Sequence, residues 1–100
     1  MATQQKVLFR GNVPQTNTSV YSVPSSTSAV VTQIVISNGT SASVAATVKL
    51  GGFSVIDGTD LTSNDAFILN LKQVMNEFDA IEISAAQAGL EIHISGVEIS

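Results

Sequence analysis

The sequence predicts an all-β fold, an antiparallel β-sandwich of about eight short strands in a jelly-roll-like arrangement. Three observations predict it. Apolar residues recur with a period of two: Val44, Ala46, Val48 and Leu50 alternate with Ala45, Thr47 and Lys49, and Leu90, Ile92 and Ile94 alternate with Glu91 and His93. That alternation marks antiparallel strands with one face on a core. Valine and isoleucine supply 21 of the 100 residues, and their β-branched side chains suit a pleated sheet better than a helix. Clusters of Gly, Pro, Ser, Asn and Asp separate the alternating runs and read as turns.

Taken in order, strands are expected near 6–10, 18–23, 29–37, 43–50, 53–56, 66–71, 80–85 and 90–99. Pro14–Thr18, Pro24–Ser28, Asn38–Ser43, Gly51-Gly52, Asp57–Asp60 and Ser63–Asp65 read as the loops between them. Lys72–Phe78 carries helix-forming residues and is expected to form a short helical turn near 72–78. Two strands are irregular. In the last one the apolar positions are even up to Ile94 and odd at Val97 and Ile99, so a β-bulge near Ser95-Gly96 is expected to restore the facing. In the third, Val30, Ile34 and Ile36 share one face while Val31 and Val35 take the other. Either this strand is covered on both sides, or Val31 and Val35 face another subunit. Leu8 and Ile68 are apolar on expected outer faces in the same way.

One hundred residues make a single domain with a thin core. Residues 1–10 read as a flexible N-terminal arm and first strand, and 11–100 as the sandwich itself. Hydrophobic residues are 44 % of the chain and charged residues only 12 %, about half the usual share. Ser, Thr, Asn and Gln fill the polar positions. The net charge of −4 argues against nucleic acid or an anionic membrane surface as partner, since both select basic patches. The absence of cysteine removes disulfides, thiolate nucleophiles and cysteine-ligated metals. The polar start Met-Ala-Thr-Gln-Gln-Lys lacks the apolar stretch of a signal peptide, and the expectation is production inside the cell.

No residue pattern announces a reaction, and no cofactor is implied. His93, the single histidine, falls on the polar face of the last strand near Glu91, with no Gly-x-Ser-x-Gly elbow to supply a nucleophile. It reads as an exposed strand residue, and the chain as no enzyme. Asp57, Asp60, Asn64 and Asp65 have the oxygen chemistry of a calcium site, but their spacing does not match an EF-hand loop, and turn capping accounts for them equally well. Glu77, Asp79 and Glu82 read as a solvated acidic rim. Asn17-Thr18-Ser19 and Asn38-Gly39-Thr40 match the N-glycosylation pattern, at a frequency chance explains. Tyr21 and Phe53 are expected in the core or at an interface.

The ordered segments Val20-Tyr21-Ser22-Val23-Pro24, Ala29 to Asn38, Leu71 to Asn76, Asp79 to Ile83 and the closing Ile94-Ser95-Gly96-Val97-Glu98-Ile99-Ser100 resemble small β-rich structural proteins of tailed bacteriophages. The resemblance covers roughly residues 18–100. It implies a non-enzymatic virion component made in the bacterial cytoplasm: a capsid decoration (cement) protein, or a tail- or fibre-associated subunit. The expectation is a homo-oligomer, a trimer, seated on the major capsid protein or on a tail protein, with Val7, Leu8, Phe9, Val31, Val35 and Ile68 at the interfaces. The alternatives are a tail or fibre-tip adaptor that binds a receptor, and a free-standing sugar- or calcium-binding sandwich.

Overall fold

The computed structural model describes residues 3–100. Eight strands follow in chain order: β1 (Thr3–Asn12), β2 (Thr18–Ser22), β3 (Ser28–Asn38), β4 (Val44–Leu50), β5 (Phe53–Leu61), β6 (Asp65–Met75), β7 (Ala80–Ala85) and β8 (Leu90–Ile99). They form two four-stranded sheets, one in the order β1-β8-β3-β6 and the other β2-β7-β4-β5. Every pairing is antiparallel. The molecule is elongated, 46 × 21 × 18 Å.

The core lies between the inner faces. Ile34, Ile36, Ile81, Ile83, Leu90 and Ile94 are among its fully buried members. It is almost purely aliphatic. Tyr21, Phe9 and Phe67 only lean against it, whereas Phe53 is 81 % exposed and Phe78 67 % exposed. Phe53 is therefore no core residue. It follows the two-residue Gly51-Gly52 turn, where Leu50 pairs with Phe53 and both glycines have positive φ (+59° and +88°). That conformation matches the twist of a tight hairpin and excludes most side chains. The turn carries Phe53 out to the tip.

The expected helical turn near 72–78 does not form, and the described residues contain no helix. Lys72–Met75 continue β6, with Gln73, Val74 and Met75 opposite Val31, Val30 and Ala29 of β3. Pairing and the burial of Met75 outweigh a local helical preference of a few tenths of a kcal/mol per residue, as tertiary context does. Asp57–Asp60, expected as a loop, lies inside β5. The Asp-Gly pair there makes a bulge: Gly58 has φ +62°, the register slips between Ala46 and Val48, and the Gly58 N–H donates to the Thr47 hydroxyl at 3.0 Å.

The expected bulge near Ser95-Gly96 lies at that level of the sheet, but on the neighbouring strands. β8 runs through unbroken. The extra residue is Leu8 on β1, between Val7 and Phe9, and Thr32 on β3, between Val31 and Gln33. Gly96 explains the placement. A Cβ there would meet the Val30 carbonyl oxygen at 2.4 Å and Leu8 Cδ1 at 2.8 Å, so the bulged neighbours close over the missing side chain. Thr32 also flips the phase of β3. Val31 is consequently buried on the inner face with Ile34 and Ile36, contrary to the facing expected from strict alternation. Leu8 joins the core for the same reason. The residues expected to include a flexible arm are integrated as well, because Thr3–Asn12 pair with β8 along the strand. Met1 and Ala2 lie outside the described residues.

Candidate functional site

Burial of one face of each sheet leaves the other available. The outer face of the β1-β8-β3-β6 sheet is the less polar of the two. Register sets its side chains in transverse rows. One row runs Arg10, His93, Val35, Ile68. A second runs Val7, Ser95, Gln33, Asn70, and a third brings Val97 and Val30 beside Val74. Ile68 is 58 % exposed, Val74 68 % and Val7 39 %, while Val30, Val35 and Val97 are half-buried among their neighbours. Scattered surface hydrophobics are ordinary, but aliphatic residues recurring along one face suit contact with another surface.

Of the residues singled out for an interface, Val7, Val35 and Ile68 lie on this face. Phe9 turns inward behind the Leu8 bulge and packs against the core. Leu8 and Val31 are core residues and have no surface to offer. Val74 is not among the residues singled out, because its segment reads as helix in the sequence; the apolar Val30–Val74 pair becomes visible only once β6 is extended along β3.

Two of the depressions on this face lie over the rows just described. The first, about 200 Å³, is lined by Arg10, Val35, Ser37, Glu91 and His93. It is smaller than the range of about 300–1,000 Å³ in which small-molecule sites fall. The second, about 570 Å³, is a shallow trough over the bulges, between Val7, Thr32, Ser95 and Val97. His93 stands between Arg10 and Val35 in its row.

The acidic candidates do not assemble. Asp57 and Asp60 lie on β5 and Asp65 opens β6; Asp60 and Asp65 flank a hollow of only about 100 Å³. Among the described residues no three His, Cys, Asp or Glu side chains come together as a metal site. The Asp65 carboxylate accepts the Ala66 N–H at 2.8 Å. Glu77, Asp79 and Glu82 also hold local structure. Glu77 accepts the Ser26 N–H at 2.6 Å, Asp79 the Asn76 N–H at 2.9 Å, and Glu82 the Asn17 side-chain amide at 3.0 Å.

Two polar groupings brace the sandwich. Asn38 is the one buried polar residue among those described. Its amide donates to the carbonyls of Ala42 and Leu61, both at 2.9 Å, and its oxygen accepts the Thr40 N–H at 2.9 Å. This ties the β3–β4 turn to the end of β5 and leaves the amide nitrogen of that glycosylation match buried. At the opposite end, Tyr21 of β2 donates its hydroxyl to Glu98 of β8, and Lys6 of β1 approaches Glu98 at 3.2 Å. The Tyr21 hydroxyl holds the Glu98 carboxyl below its ordinary value, against the opposing effect of burial and with help from Lys6. Burial, then the bond and charge of Glu98, push the Tyr21 hydroxyl well above the usual tyrosine value. The charge is thus spent on joining the two sheets.

Compared with known proteins, the chain matches no family model and has no significant match among curated proteins.

Proposed function

We propose that this chain is a non-enzymatic structural subunit of a tailed-bacteriophage particle, a capsid decoration protein that works as a homo-oligomer and lays the outer face of its β1-β8-β3-β6 sheet on the major capsid protein. The observation that carries the reading is that face: a lightly charged surface with Val7, Ile68 and Val74 exposed along it. Contacts of this composition depend little on ion pairs and persist in salt. The sequence resemblance to small β-rich phage proteins points the same way. We read the sandwich as a jelly roll; the strand orders β1-β8-β3-β6 and β2-β7-β4-β5 support this, since successive strands alternate between sheets except at β4–β5.

The test is particle binding. Labelled protein is added to phage particles assembled without it and imaged by electron microscopy. Saturable binding to the head, lost in a Val74→Lys variant that folds normally, is the expected result. Binding confined to the tail, or no binding to either part, overturns the decoration role.

A further inference from the structure

Asn38-Gly39 is the one asparagine–glycine pair in the chain. Such a pair carries a reaction of its own. A residue without Cβ leaves its backbone nitrogen open and its backbone free to bend, so the glycine nitrogen can attack the side-chain carbonyl carbon of the asparagine. The new C–N bond forms, the bond to the side-chain nitrogen breaks, and ammonia leaves with the proton of the attacking nitrogen. The product is a cyclic succinimide. Water then opens the ring at one carbonyl or the other, to aspartate or to isoaspartate. Nothing is oxidised or reduced, and water is the only co-reactant.

The fold closes this route at the pair where it is chemically easiest. Asn38 ends β3 and is 0 % exposed. Its amide nitrogen donates to the Ala42 and Leu61 carbonyls, and its oxygen accepts the Thr40 N–H, all at 2.9 Å. Attack requires the side chain to turn its carbonyl carbon toward the Gly39 nitrogen, which breaks these bonds together. The Asn38 backbone is held as well, opposite Asp65 of β6 and Leu90 of β8. Gly39 is different. It lacks a positive φ, and nothing stands within 4 Å of where a Cβ would lie. The residue that makes the pair reactive is therefore one that the packing does not require.

We infer that Asn38-Gly39 is a modification site that the native fold silences and unfolding arms: in the open chain it converts to aspartate or isoaspartate, and either product destabilises the fold it would have to rejoin. A carboxylate at this position has no N–H to offer and would face the Leu61 and Ala42 carbonyl oxygens away from water. Isoaspartate routes the chain through the side-chain carbon, adds a backbone atom ahead of the β3–β4 turn, and displaces Thr40. The pair thus acts as a timer on the open state. A chain that folds promptly keeps its asparagine, and one that stays open loses its place in the native pool. The inference goes beyond the particle role and does not depend on it.

The experiment holds the full chain in guanidinium chloride and, in parallel, in buffer at mildly alkaline pH. Peptide mapping by mass spectrometry follows the change from amide to acid at each asparagine over days; isomerisation at Asp57-Gly58 leaves the mass unchanged and does not interfere. Asn38 is expected to change before every other asparagine in denaturant. In buffer it is expected to change at least about a hundredfold more slowly, since the reaction waits on the small fraction of chains that open. Chain modified in denaturant and then refolded is expected to unfold at a lower denaturant concentration than fresh chain. Asn38→Asp should reproduce that loss, and the loss should grow as pH rises above the ordinary aspartate value of about 3.9, because burial raises the folded-state value and penalises the charged form. Gly39→Ala should keep the fresh-chain midpoint, slow the reaction in denaturant and preserve refolding. Comparable rates at Asn38 in the two conditions, modified chain that refolds to an unchanged midpoint, or a Gly39→Ala chain modified as fast as the wild type overturns the inference.

Discussion

At the scale of single residues, stability is concentrated in a few positions that composition does not reveal. Asn38 makes its side-chain hydrogen bonds inside the protein, so replacing it strands the Leu61 carbonyl and the Thr40 N–H, while the Ala42 carbonyl keeps the Thr40 hydroxyl. Asn38→Ala is expected to cost about 2–3 kcal/mol in denaturant unfolding, whereas Asn17→Ala, on the surface, should stay within about 0.5 kcal/mol. Gly96→Ala is expected to cost about 1–3 kcal/mol, because the Val30 carbonyl cannot withdraw without breaking the register. The Tyr21–Glu98–Lys6 bracket adds a pH dependence at both extremes. Glu98 titrates lower in the folded chain than unfolded, so its contribution is present above the ordinary carboxylate value of about 4.3 and is lost as pH falls through the depressed one. Tyr21 titrates higher when folded, so its contribution is complete below about 10 and declines above that. Thermal melts across pH should show both flanks, and Tyr21→Phe should flatten each of them.

At the scale of elements, β1 is part of the fold. It pairs with β8 from Thr3 to Asn12, supplies Leu8 to the core and holds Lys6 against Glu98. Removing residues 1–10 is therefore expected to lower the melting midpoint sharply or prevent folding, where a dispensable arm would leave the midpoint unchanged. β6 makes a parallel point. Its last turn of sequence looks helical, yet Val74 and Gln73 are paired across β3. Hydrogen exchange should find one of these two consecutive amides, the one directed at β3, protected well above its neighbour, which points out from the edge. Fast exchange from Lys72 onward would contradict the strand.

At the scale of the molecule, the two faces of the β1-β8-β3-β6 sheet divide the work. The inner face carries Ile34, Ile36 and Ile94 and stabilises the sandwich; the outer face carries Ile68 and Val74 and is spare. Ile34→Ala should cost about 2–5 kcal/mol, while Ile68→Lys should leave the melting midpoint nearly unchanged and act only on assembly. The scattered acidic residues lead to a further expectation: melts in calcium and in EDTA should coincide, since a ligand that binds only the folded chain would separate them.

The eight strands were legible in the chain because a period of two is set by side chains alternating across a pleat, a local property of every strand. Most boundaries fell within a few residues for the same reason. The two-sheet partition, the register and the identity of the spare face were decided by tertiary structure. Val31 shows why. Its facing depends on one extra residue, Thr32, which is accommodated because β8 offers Gly96 beside it. Asp57-Gly58 has turn chemistry, and only the pairing of β4 with β5 turns it into a bulge inside a strand. Alternation alone puts Ile68 on an outer face, and would put Leu8 there too, but the bulge turns Leu8 into the core; Val74 becomes part of that face only when β3 draws the helix-like end of β6 into the sheet. Alternation tells each strand that it has two sides; which side meets water is settled by the strands that arrive from elsewhere in the chain.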